Sequence, residues 1–67
     1  MAVWTGAEIK ALRERLGESQ TAFAARFGLD QSTISLWEAG NTIPRGPSVK
    51  LLDQIAVAAP EPSEAAA

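Results

Sequence analysis

From Thr5 to Val57 the apolar residues recur at helical intervals, three and four apart, with no strand-length alternation, so the pattern predicts helices alone. In "TGAEIKALRERLG" Thr5 and Glu8 stand as a capping box, which gives partners to two orphan backbone donors at a helix start. Trp4 and Ile9 occupy the staple positions around it. Ile9, Leu12 and Leu16 form the buried stripe, and Gly17, the residue best able to take a positive φ, ends the helix. Lys10, Glu14 and Arg15 fall on the exposed side, where a charged surface is ordinarily plain solvation.

Ser19 is the N-cap of a second, short helix, in which Phe23, Ala24 and Phe27 share one side before Gly28 stops it. Asp30 caps a third helix from Gln31 to Ala39, with Gly40 as terminator. Only Gly28, Leu29 and Asp30 separate the two, which forces a sharp angle between them. "NTIPRGP" reads as a loop because Pro44 and Pro47 forbid a continuous helix, while Pro47 suits the first turn of "PSVKLLDQIAVA". Leu51, Leu52, Ile55 and Ala56 are the apolar side of that fourth helix. Residues 1–59 thus form the domain. Residues 60–67, "PEPSEAAA", have little to bury and are expected to be a disordered tail.

The third helix has two faces that disagree. Ile34 and Trp37 share an apolar side, whereas Gln31, Ser32, Ser35 and Leu36 lie together on another. Gln20, Ala24, Gly28, Ile34 and Trp37 also fall in one frame: a small residue lets two helices approach, a glycine turns the chain, and two apolar residues lock the second helix. That frame is a helix-turn-helix. Ala24 belongs at the crossing point, where a larger side chain would push the helices apart.

Composition removes most alternatives. The 67 residues make one small domain, near the size at which a single apolar core must suffice without disulfides or metal. With no Cys and no His, thiolate and imidazole metal sites, Ser/His and Cys/His nucleophile pairs and disulfides are all excluded. No paired acidic constellation and no Gly-rich phosphate cradle are present, so no catalytic residue, metal or cofactor is expected. The longest apolar run, Ile55 to Ala59, is too short to span a bilayer, and no leader pattern opens the chain. A soluble, cytoplasmic protein is expected.

Charge complicates a nucleic-acid partner, because six Lys and Arg against eight Asp and Glu leave a net charge of −2. Glu61 and Glu64 lie in the tail, so residues 1–59 balance at six against six. A neutral module binds phosphate weakly unless it is doubled.

The stretch "LRERLGESQTAFAARFGLDQSTISLWEAGNTIP" resembles the Cro/C1-type (XRE-like) repressor domain, and more narrowly its short antitoxin-type and phage-type regulators. The resemblance covers residues 5–56. It implies a compact all-α, lambda-repressor-like domain of four helices, joined in many relatives by a fifth that contributes to dimerisation. It also implies a third helix lying in the major groove of double-stranded DNA. There Gln31 can bridge adenine N6 and N7, Ser32 and Ser35 can meet several bases, and Leu36 can meet a thymine methyl. Ser19 and Gln20 match residues placed against phosphate, with Thr33, Asn41 and Arg45 as further phosphate candidates. Arg13 and Glu38 match a pair that forms a salt bridge between the first helix and the end of the third.

Asp30 departs from the family pattern, in which Ser or Thr is common. Its carboxylate should repel phosphate unless its charge is spent on the helix N-terminus or on a cytosine amino group. The implied function is transcriptional repression of a small bacterial or phage operon by a homodimer on an inverted repeat. Val49 and Val57 on the fourth helix are the first places to expect its interface. An antitoxin-type module that neutralises a partner toxin and binds DNA secondarily is the rival, favoured by the acidic balance.

Overall fold

The computed structural model describes residues 4–59, which form α1 (Gly6–Arg15), α2 (Gln20–Phe27), α3 (Gln31–Ala39) and α4 (Gly46–Ala58). The all-α architecture matches the sequence pattern, and no strand occurs among the described residues. The expected tail from Pro60 onward lies outside them.

Local chemistry sets the helix starts, with two corrections. The capping box is complete: Glu8 N donates to Thr5 Oγ1 at 3.1 Å, and Thr5 N donates to the Glu8 carboxylate at 2.9 Å. At α2, Ala22 N donates to Ser19 Oγ at 3.1 Å. Asp30 stands at the N-cap of α3 with extended backbone, yet its carboxylate makes no capping hydrogen bond. It was expected to cap the helix with its side chain and does so only with its backbone. α4 starts one residue earlier than the proline pattern indicates, at Gly46, with Arg45 at its N-cap.

Gly28 makes the turn between α2 and α3. Its φ of 67° lies in the left-handed region, where Gly28 N donates to Ala25 O at 3.2 Å and Leu29 N donates to Ala24 O at 3.0 Å. These two bonds satisfy carbonyls that the helix end would otherwise orphan, and they reverse the chain within three residues. The same pair of bonds closes α1 at Gly17 and α3 at Gly40.

The core takes side chains from every helix: Ile9 and Leu12 from α1, Phe23 and Ala24 from α2, Ile34 and Trp37 from α3, Leu52 and Ile55 from α4, then Ala59. Among the described residues no polar or charged side chain is buried with them. Leu16, Phe27, Leu51 and Ala56 pack on this cluster from half-buried positions. Phe27 stands edge-on to Trp37 with ring centroids 5.4 Å apart, an aromatic pair that fastens α2 to α3. Arg15, read from the sequence as an exposed charge, is half-buried, while Lys10 and Glu14 are exposed.

Two tertiary contacts have no counterpart in the sequence pattern. Trp4 Nε1 donates to Asp53 Oδ1 at 2.9 Å and ties the segment before α1 to α4. At Gly6 the first turn of α1 meets the last turn of α3 so closely that a Cβ would lie 2.5 Å from Glu38 O and 2.6 Å from Trp37 O. Glycine is required there for space rather than for backbone freedom.

Candidate nucleic-acid interface

α3 buries Ile34 and Trp37 against the core and turns its other side outward. Gln31 and Ser32 are exposed, Leu36 keeps 43% of its surface, and Ser35 is half-buried. Leu36 thus leaves a large part of an apolar side chain on the same outward side as Gln31 and Ser32.

Behind this face runs a chain of polar contacts joining three helices. Arg13 on α1 donates from Nε to Glu38 Oε2 at 2.6 Å and from Nη2 to Glu38 Oε1 at 3.2 Å, a two-toothed ion pair. The two side chains keep only 14% and 8% of their surface. Arg13 Nη1 also donates to Glu18 O at 2.9 Å, which fixes the α1–α2 connection to the same group. Gln20 Nε2 then donates to Glu38 Oε1 at 3.0 Å, and Gln31 Nε2 donates to Gln20 Oε1 at 2.5 Å.

The direction of this chain follows from its anchor. An ionised carboxylate only accepts, so Gln20 must present its amino group to Glu38 and its carbonyl to Gln31. Gln31 must then donate. Its carbonyl oxygen and its second N–H are left without a partner among the described residues, at the exposed start of α3.

Electrostatics supports the same anchor. Burial pushes the Glu38 carboxyl up, but hydrogen bonds from Arg13 and Gln20, with the charges of Arg13 and Lys10, outweigh it and hold the group below its ordinary value. The hydrogen bond to Glu38 raises Arg13. A second ion pair escaped the sequence reading: Arg26 on α2 donates to both oxygens of Glu18, with Nε at 2.8 Å from Oε1, and this hydrogen bonding lowers the Glu18 carboxyl. Its residues are eight apart, with Glu18 just before α2 and Arg26 in its last turn, outside the three- and four-residue helical spacing.

The remaining phosphate candidates are scattered. Ser19 is exposed at the start of α2, its hydroxyl engaged with Ala22 N, and Gln20 is half-buried beside it. Thr33 and Arg45 line one open groove between α3 and the start of α4, whereas Asn41 stands exposed just past Gly40 and outside it. The first turns of α2, α3 and α4 contain no acidic residue, and at α3 the nearest carboxylate is that of the N-cap, Asp30.

This arrangement of α2, a glycine turn and α3 over a shared core is matched by the helix-turn-helix family model over residues 9–60. The chain belongs to the Cro/C1-type helix-turn-helix family. No curated protein and no solved structure matches it. Membership makes this helix-turn-helix protein a binder of double-stranded DNA and a regulator. In the motif the second helix enters the major groove with its N-terminal residues toward the base edges, which is the end of α3 that carries Gln31. Among the described residues no group of acidic side chains could hold a metal ion, and no helix is long and apolar enough to cross a membrane.

Proposed function

We infer that this helix-turn-helix protein is a sequence-specific repressor that reads its operator with Gln31, Ser32, Ser35 and Leu36. The observation that carries this is the unspent acceptor and donor on Gln31, aimed by the chain from Arg13 through Glu38 and Gln20. Adenine presents the complement in the major groove, an N6 donor beside an N7 acceptor. Ser32 and Ser35 supply adaptable hydroxyls, and Leu36 supplies apolar surface for a thymine methyl.

Phosphate contacts come from the start of α2, at Ser19 and Gln20, and from Thr33, Asn41 and Arg45. The N-termini of α2 and α4, with no acid at the cap or in the first turn, supply positive potential that the formal charge does not show. Even so, one neutral module neutralises few phosphates. Two copies on an inverted repeat supply a useful specificity ratio by linking two half-site interactions. Val57, which keeps 88% of its surface on α4, and half-buried Val49 are the apolar residues from which the pairing is built.

Selection of bound duplexes from a random library tests this reading. It should return an inverted repeat with an A·T pair at the same place in each half-site and half-site centres about 10–10.5 base pairs apart, or a multiple of that. Affinity for the selected duplex should fall linearly with log[salt], with a slope of about −0.9 per neutralised phosphate. Recovery of unrelated sequences, bound equally at every salt concentration, would overturn the repressor reading.

A further inference from the structure

The Asp30 carboxylate makes no hydrogen bond or ion pair among the described residues. Thr5 and Ser19 each turn their side-chain oxygen onto their own helix, whereas the Asp30 carboxylate, at the equivalent position of α3, accepts no hydrogen bond from it. It forms no ion pair with the described residues, and the residue is exposed. Immediately beside it in the chain stands Gln31, exposed, with its amide oxygen and second N–H unpartnered among the described residues. A carboxylate at the groove-facing end of a DNA-binding helix is repelled by phosphate. It is tolerated there if it meets a donor that offsets the repulsion.

Major-groove chemistry restricts that donor. A carboxylate is acceptor-only, and guanine and thymine present acceptors, so both oppose it. Adenine offers one donor beside the N7 acceptor, which repels the second carboxylate oxygen. Cytosine offers its N4 amino group with no acceptor next to it on the same base. We propose that Asp30 is a specificity-determining residue that selects a C·G pair flanking the A·T pair read by Gln31. This rests on the DNA-reading role of α3 given above. Asp30 narrows the set of operators at the expense of general affinity for DNA.

The test compares sequences selected from a random duplex library by the full-length wild type, Asp30→Asn, Asp30→Ser and Gln31→Ala. Asn keeps the shape and removes the charge, and Ser restores a capping hydroxyl, so at least one variant preserves the fold, as thermal melts will show. The wild type should select cytosine beside the adenine. Both Asp30 variants should lose that preference, which is worth roughly 5- to 150-fold for a good base contact, and should keep the adenine. Gln31→Ala should do the reverse. If the Asp30 variants gain affinity for every sequence alike while all base preferences stay, the carboxylate only repels phosphate and the proposal fails with the Gln31 assignment intact. If the wild type selects no sequence at all, the proposal fails together with the DNA-reading role it rests on.

Discussion

Replacing Gly6 with alanine is expected to destabilise the protein by about 2–3 kcal/mol, the upper part of the range for overpacking, and to lower its melting temperature by roughly 10 °C or more. Helix propensity alone points the other way, since alanine exceeds glycine by up to about 1 kcal/mol inside a helix. The contact decides the sign. The new Cβ would lie 2.5 Å from Glu38 O and 2.6 Å from Trp37 O, both backbone atoms that no rotamer change can move aside. Relief requires α1 to withdraw from the last turn of α3, which carries Trp37 of the core and Glu38 of the ion pair. Gly46→Ala is the control, because a Cβ there meets nothing within 4 Å. Its melting temperature should stay level or rise slightly. A Gly6→Ala protein that melts with the wild type would show that α1 and α3 are not so closely apposed.

The second large effect is expected at Glu38. Its replacement by alanine leaves the Arg13 guanidinium and the Gln20 amino group without their shared acceptor in a largely enclosed place. Breaking one side of a fully buried pair costs about 3–5 kcal/mol, and the residual exposure here brings the expectation to about 2–4 kcal/mol. A domain of 67 residues has roughly 3–10 kcal/mol in all, so the variant stands near the edge of folding. Arg13→Ala should cost a similar amount and also free Glu18 O. The double variant should be less destabilised than the sum of the two, because both remove one interaction. Additive effects in thermal melts would mean that the pair does not act as a unit.

Acid should act on the same anchor. The folded Glu38 and Glu18 carboxyls both lie below the ordinary value of 4.5, so the unfolded chain takes up protons first as pH falls through that value. The stability they contribute is complete above it and is lost progressively on further acidification through the folded values. Melting temperature against pH should therefore bend downward below about pH 4.5, and less steeply in Glu38→Gln than in the wild type.

Most helix boundaries were legible because they are set locally. Thr5 with Glu8, Ser19, and the glycines at 17, 28 and 40 act within a few residues of themselves, so spacing alone reveals them. Asp30 shows the limit of that reasoning. Its residue type is right for a cap, but whether a carboxylate turns back to its helix or outward depends on surroundings that spacing does not describe. The need for glycine at position 6 is not legible in the sequence, since its neighbour across the interface, Glu38, is distant along the chain. The polar network was only partly legible: family resemblance paired Arg13 with Glu38, but nothing in the pattern set Gln20 between Glu38 and Gln31. The sequence places Gln20 in the helix-turn-helix frame and against phosphate, but not in the hydrogen-bond chain, where its amide passes direction from the ion pair to α3.

The base-reading role of Gln31 is the central claim, and fluorescence anisotropy on a selected duplex tests it most directly. Wild type and Gln31→Ala would be titrated against that duplex and against single-pair variants of each half-site. The wild type should prefer the A·T pair at one position by about 1–3 kcal/mol, and Gln31→Ala should lose that preference alone while its melting temperature stays almost unchanged. A Gln31→Ala protein that keeps the wild-type preference at every base pair would contradict the account.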